Sequence, residues 1–435
     1  MALNIAQLEE EIIDQYLYDE NTTRPWIIGF SGGKDSTMLL QTVWIALKKI
    51  EPALLTRQIY VVCNNTLVEN PKIIEYTARV LKKIEQSASE QSLPVFVQRT
   101  IPKLEDTFWV NVLGRGYPAP NKIFRWCTER LKINPTTQFI LDKISIEGEA
   151  IILLGTRSDE STNRAKSIKK HEIQGERLRK HVLPRAFVYA PIKDVLTEEV
   201  WKYLNQVPSP WGSSNKELIT LYKNANSGDC PLVIDDTTPS CGNSRFGCWT
   251  CTVVSRDKSM EALIENGEDW MEPLKDLRDL LSISRDSDEY REKRRRDGTE
   301  KEGTLGPYKP WFRADFLEKL FTAQKEIQKT HPEMVLINYQ ELVAIQVSWY
   351  RDGVFNYSVA DIYNKVFGTN ITLESADEKT LKEKELLKDI CKKNPADYEL
   401  LNELLSIQKS KIILMKNRGL QNDIENRLDQ FIKNQ

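Results

Sequence analysis

No stretch of this sequence is apolar over the roughly 20 residues that a bilayer-spanning helix requires, so no membrane span is expected. An excess of either charge is missing too: 61 Lys and Arg stand against 63 Asp and Glu, a formal net charge of −2. The chain as a whole therefore exerts no pull on nucleic acid, and any DNA or RNA contact must come from local patches. No internal repeat is present, which excludes a repeat array. The opening MALNIAQLEEEIIDQYLYDE is acidic and amphipathic, without the basic flank and apolar core of a secretory signal. The expectation is a soluble, cytoplasmic protein with no membrane contact.

What is present is ordinary in bulk. Hydrophobic residues at 40% and charged residues at 29% suit a globular protein, and 435 residues suffice for two or three domains. The seven cysteines are an odd number, and four of them, Cys230, Cys241, Cys248 and Cys251, fall within 22 residues, while Cys63, Cys127 and Cys391 stand apart. In a cytosolic chain such clustering favours ligands or reactive thiols over a disulfide framework.

Apolar runs at 26–30, 58–62, 95–98, 150–154 and 187–190 read as strands, alternating with helical patterns at 34–47, 73–84 and 135–144. That alternation predicts an α/β fold, a mostly parallel sheet with flanking helices. Thr197 is placed to cap a following helix. A Pro, Gly and Ser-rich stretch then leads to the cysteines, so residues 1–207 are expected as the core and 208–283 as a cysteine-rich insertion. Residues 284–310 are highly charged and poor in apolar side chains, which suggests an exposed or partly disordered linker. Residues 311–435 are expected as a helical C-terminal extension.

Ser31-Gly32-Gly33-Lys34-Asp35-Ser36 falls where the first strand becomes a helix. Backbone donors and the positive helix end can hold an anion there. Lys34 would neutralise phosphate charge, Ser31 and Ser36 would donate hydroxyl hydrogen bonds, and Asp35 would position the loop or bind a divalent metal. The Gly-x4-Gly-Lys spacing of a Walker loop is absent. Gly155 and Arg157 follow the strand at 150–154, where a guanidinium fork can grip phosphate or carboxylate. The basic stretch after Arg157, including Arg164, Lys166, Lys169, Lys170, Arg177, Arg179 and Lys180, reads as a solvated loop or a nucleotide or DNA-backbone surface. Asn64, after the second strand, is a candidate adenosine contact or a polar turn residue. The four clustered cysteines suit zinc or a four-iron cluster, and spacing alone does not choose between them. Cys127 lies among Arg125, Arg130 and Lys132, whose positive charge would lower its pKa and enrich the thiolate; the alternative is a buried structural cysteine beside Trp126.

SGGKDS resembles the signature of the PP-loop ATP pyrophosphatases, which implies an adenine nucleotide alpha hydrolase-like fold, ATP as cosubstrate and Mg2+. The segments FRWCTERLKI, GDCPLV and SCGNSRFGCWTCTVV resemble the ATP-dependent sulfurtransferases of bacterial DNA phosphorothioation, the DndC- and SspD-like proteins. The resemblance implies a [4Fe-4S] cluster on Cys230, Cys241, Cys248 and Cys251, sulfur handling by Cys127, and adenylation of a DNA backbone phosphate before sulfur replaces its oxygen. A cysteine desulfurase as sulfur donor, other DNA phosphorothioation proteins and DNA itself are the implied partners. The alternatives within the same logic are a tRNA thiolation enzyme, an adenylyl-sulfate reductase and a noncatalytic iron-sulfur DNA-binding or scaffold protein.

Overall fold

The computed structural model describes residues 3–21, 23–173, 175–225, 246–295, 299–300, 303–352, 354, 356–371, 385–393, 396–401, 404–405, 424–425 and 427–428. The chain divides into two compact units, Met1–Lys103 with Asn121–Lys275, and Leu104–Pro120 with Asp276–Gln435.

In the first unit, β1 (Trp26–Gly29), β2 (Ile59–Asn64), β3 (Val95–Thr100), β4 (Ala150–Leu153), β5 (Leu178–Lys180) and β6 (Ala186–Tyr189) form one sheet in the order β3-β2-β1-β4-β6-β5. All neighbours are parallel except β5, which runs antiparallel along β6. The central strands are apolar on both sides because both faces are covered, and β4, Ala-Ile-Ile-Leu, is buried at every position. One face packs against α1 (Ile5–Leu17), α2 (Lys34–Leu47), α3 (Pro71–Glu90), α7 (Thr197–Gln206) and α8 (Asn215–Asn224). The other is closed in part by α5 (Asn134–Glu147), through Ile140 against Ile27, Val62 and Ile152. From β1 the chain moves to β2 on one side and later to β4 on the other. This reversal opens a crevice at the carboxyl ends of β1 and β4, the usual ligand position in open α/β sheets.

The remaining elements of this unit are α4 (Trp126–Thr128), which runs into a π-helical turn at Glu129–Ile133, α6 (Thr162–His171) and α9 (Lys258–Glu265). The division between the units falls inside α10 (Glu272–Ser284). Strand β5 and helix α6 lie in the basic stretch, and α8 in the Pro, Gly and Ser-rich one. Their short lengths and polar composition hid them from hydrophobic periodicity. Thr197 opens α7 but does not cap it: Leu196 holds the cap position, and its N–H donates to Glu199 at 2.9 Å.

The second unit joins 104–120 to the C-terminal helices α11 (Pro310–Ile327), α12 (Tyr339–Arg351) and α13 (Val359–Phe367). The expected core of residues 1–207 includes 104–120. The latter belong here because Trp109 donates to the Leu336 carbonyl at 2.8 Å, and Trp349 and Arg313 donate to the Leu113 and Gly114 carbonyls at 2.7 and 2.8 Å. The charged stretch expected as an exposed linker folds back on itself. Arg291 bridges to Tyr308 and donates to the carbonyls of Gly306 and Arg285 at 2.8 and 2.7 Å, and Tyr308 is buried. No helix among the described residues is long and apolar enough to cross a membrane.

Candidate functional site

β1 delivers the chain to a tight turn whose geometry admits little beyond glycine at two points. Gly32 has φ +74°, and a Cβ there would sit 2.5 Å from the Thr77 hydroxyl. A Cβ on Gly155 would sit 3.0 Å from the Asp35 carbonyl oxygen, so the β4 loop and the start of α2 can touch only without it. Two hydroxyls lace the turn. Ser36 donates to the Gly33 carbonyl at 3.0 Å and accepts from the Ser31 N–H at 3.2 Å, with the two serine oxygens 3.2 Å apart. No side chain caps α2 at Gly33, and the Lys34 N–H lies 3.4 Å from the Tyr222 hydroxyl. A helix start without a side-chain cap at its N-cap residue can hold an anion. This one opens into a cavity of about 800 Å³ lined also by Gly155, Arg157, Glu69, Lys132, Phe246 and Gly247.

Asp35 links the seat to its scaffold. One carboxylate oxygen meets Lys34 Nζ at 2.9 Å and the other meets Arg157 Nε at 2.7 Å. Arg157 is 0% exposed. Its remaining donors reach the Val195 carbonyl at 2.9 Å and the Thr197 hydroxyl at 3.1 Å, with Asp159 at 3.5 Å. Burial pushes the Asp159 carboxyl up, but two hydrogen bonds from Thr197 and the Arg157 charge outweigh it and hold the group below its ordinary value. Of the phosphate or carboxylate expected for this guanidinium, the structure places the Asp35 carboxylate on it, and Asp35 in turn meets Lys34. With a cation on each oxygen, Asp35 does not fit a magnesium ligand. Asn64 is committed in the same way: its amide donates to the Lys132 carbonyl at 3.2 Å and its oxygen accepts from Thr136 at 2.9 Å and from Thr100. The adenosine contact expected of it gives way to a structural tie between β2, β3 and α5.

The Cys248–Cys251 turn is docked on the loop that follows β2. Glu69 and Cys248 form an antiparallel bridge, the Trp249 N–H donates to Val68 at 3.0 Å, and the Asn70 N–H donates to Gly247 at 3.2 Å. Within the turn the Cys251 N–H donates to the Cys248 carbonyl at 3.0 Å, and the Thr66 hydroxyl lies 3.4 Å from Cys248 Sγ. Trp249 is buried beneath the turn. Cys230 and Cys241 lie outside the described residues. Among the described residues no group of three or more His, Cys, Asp or Glu could hold a metal ion, so the cysteine-rich insertion as a metal centre remains an expectation. The two described thiols, a C-x2-C pair on a tight turn, fit half of the expected four-sulfur set.

Lys132 was noted in the sequence only as a neighbour of Cys127. In the structure it borders both chemistries: it lines the cavity, and its amine lies 3.9 Å from Glu69. Cys248 foremost, against the effect of burial, holds its proton, with Glu69, Cys127 and Cys251 adding to this. Burial pushes the Cys248 thiol up to about 11, with Lys132 opposing, and pushes Cys63 up to about 12. The Cys127 thiol is also raised, chiefly by burial, although hydrogen bonding to Thr128 and the Lys132 charge oppose it. The activated thiolate expected from its basic sequence neighbours is therefore not what burial produces. Glu69 and Tyr222 were not found from sequence, because only folding brings them to the cavity.

Residues 25–254 match the phosphoadenosine phosphosulfate reductase domain. The chain belongs to that family. Its fold is that of the PP-loop, phosphoadenosine phosphosulfate reductase-like ATP pyrophosphatase superfamily. An uncharacterized protein of Methanocaldococcus jannaschii is 29% identical over 259 residues, covering 58% of this chain and 42% of that protein, so the chain spans less than half the length of this relative. Among solved structures, phosphoadenylyl-sulfate reductase from Candida auris in its phosphate complex is 12% identical over 48% of this chain and 91% of that one, at a TM-score of 0.28. The U34-tRNA thiolase NcsA from Methanococcus maripaludis with its [4Fe-4S] cluster is 15% identical over 68% and 84%, at a TM-score of 0.30. In this family member the cavity between β1 and β4 is the candidate active site.

Proposed function

We propose that this protein is an ATP-dependent sulfurtransferase that modifies the DNA backbone as a phosphorothioate. The observation that carries this reading is one cavity with two kinds of wall: the α2 phosphate seat on one side and, through Phe246 and Gly247, the segment leading to Cys248 and Cys251 on the other. ATP sits with its phosphates on the uncapped helix start. Lys34, aimed by Asp35, takes up the charge that develops as the α–β bond breaks. A nonbridging oxygen of the acceptor phosphate attacks the α-phosphorus, and pyrophosphate leaves. A sulfide-level sulfur then attacks the acceptor phosphorus, a P–S bond forms, and AMP departs with the former backbone oxygen. Lys132 stands where it can steady anionic sulfur and the leaving adenylate together.

Cys230, Cys241, Cys248 and Cys251 would hold the [4Fe-4S] cluster, which supplies redox or sulfur-binding capacity when present. Magnesium would enter with the nucleotide. Cys127 is proposed as a sulfur-handling thiol, and its raised pKa calls for deprotonation by the incoming donor. A cysteine desulfurase supplies the sulfur as a persulfide, two electrons from an external thiol reductant release it at the sulfide level, and other modification proteins present the DNA. The test is an anaerobic reaction with ATP, magnesium, cysteine, desulfurase, a thiol reductant, the other modification proteins, DNA and tRNA. The expected result is AMP and pyrophosphate with sulfur in DNA alone. Sulfur in tRNA, or sulfite without pyrophosphate, would overturn the reading.

A further inference from the structure

α6 is a ten-residue helix without a single buried side chain; only Ala165 and Ile168 are even half-buried. A helix this short is marginal alone in water and normally draws its stability from a packed apolar face. What it presents instead is positive charge. Lys166, Lys169 and Lys170 share one face by their i, i+3 and i, i+4 spacing, and Lys169, Lys170 and His171 fill the last turn. Attraction to the negative helix end explains cations in that turn. It does not explain Lys166, which with Lys170 forms a like-charge pair that opposes the helix.

The neighbouring carboxylates are already engaged: Glu160 with Arg164 at 3.5 Å and Glu172 with Lys193. Among the described residues Lys166, Lys169 and Lys170 have no ion-pair partner, nor do Arg179 and Lys180 on the edge strand β5 that follows. The helix begins at the cavity rim, where Ser161 caps it and Arg164 lines the opening. On a chain of net charge −2, this is a local patch of excess positive charge leading away from the candidate active site, offset at Lys169 by the charge of Glu172.

We infer that α6 is a docking rail for the DNA backbone, with Lys166, Lys169 and Lys170 contacting successive phosphates while the reacting phosphate lies in the cavity. This rests on the reading of DNA as sulfur acceptor. The dimensions agree. From Lys166 to Lys170 the helix rises about 6 Å, and phosphates follow one another at about 3.4 Å along the axis of one strand, so the three lysines span about two phosphate steps.

The test is fluorescence anisotropy of the full chain with single-stranded DNA, duplex DNA and RNA of one sequence, across a salt series. The variants are K166Q/K169Q/K170Q and, as a charge-matched control elsewhere, K48Q/K82Q/K83Q. Glutamine keeps helix propensity, and retained nucleotide binding shows that each variant is folded. The α6 variant should bind DNA at least roughly tenfold more weakly, with the slope of log K against log salt reduced by about 2 for single strands and about 3 for duplex. The control should bind as wild type. Equal binding and slope in the α6 variant, equal loss in the control, no DNA binding by wild type at low salt, or preferred binding of RNA by the same lysines would each overturn the proposal. Pyrophosphate release and sulfur incorporation are measured in parallel, so a failed rail with intact chemistry leaves the proposed function standing.

Discussion

Replacing Arg157 separates a scaffold from a phosphate grip. The residue is 0% exposed and its fork reaches Asp35, Val195 and Thr197 at 2.7, 2.9 and 3.1 Å. R157A removes all three bonds at once and leaves Asp35 without its main counter-charge. Losing one partner of a buried pair costs about 3–5 kcal/mol. Because Asp35 is 22% exposed and can recruit water, the lower part of that range applies, about 3 kcal/mol. For a unit of this size each kcal/mol moves the melting point by about 2–4 °C, which predicts a fall on the order of 10 °C by calorimetry. R157K should recover little, since one ammonium cannot replace a planar fork held at three points. If Arg157 instead gripped a phosphate, R157A would melt like wild type and lose only nucleotide affinity, and that result would refute the reasoning.

Ser36→Ala removes the hydroxyl that laces the phosphate turn. It should cost about 1 kcal/mol of stability but lower pyrophosphate release by about 100-fold or more; unchanged release in a radiolabelled ATP assay would reject the seat. Lys132→Gln should slow alkylation of Cys248 by iodoacetamide in the cluster-free protein, because it removes the charge that opposes the raised thiol pKa, and in the loaded protein should reduce sulfur incorporation more than pyrophosphate release. An unchanged alkylation rate would break the proposed link between them. In the C-terminal unit, burial raises the Glu341 carboxyl to about 7, with the Asn338 N–H opposing. Between its ordinary value of 4.5 and 7 the folded state keeps a proton that the unfolded state has lost, so stability falls as pH rises, by about 3 kcal/mol in all. Glu341→Gln should flatten that slope in denaturant titrations across the window, and a slope equal to wild type would contradict the assignment.

The sheet was legible because its strands are short apolar runs punctuated by glycine and proline, and the alternation with α2, α3 and α5 fixed the fold class. The turn from β1 into α2 was legible because Gly32, Gly33 and Lys34 are contiguous in the chain. The roles of Arg157, Asn64 and Cys127 were not, since each depends on partners far away in sequence: Val195 and Thr197 for the guanidinium, Thr136 and Lys132 for the amide, and burial for the thiol. Charge near Cys127 in sequence predicted an activated thiolate, but desolvation is the larger effect. The union of 104–120 with the C-terminal helices was equally hidden, because it rests on single hydrogen bonds from Trp109, Arg313 and Trp349 rather than on any local pattern.

The central claim is that ATP activates the oxygen that sulfur will replace. Its most direct test uses DNA whose nonbridging phosphate oxygens carry oxygen-18, with the released AMP analysed by mass spectrometry alongside sulfur incorporation. The account predicts one labelled oxygen in AMP for each sulfur gained by the DNA. Unlabelled AMP in a reaction that still thiolates the DNA would contradict it.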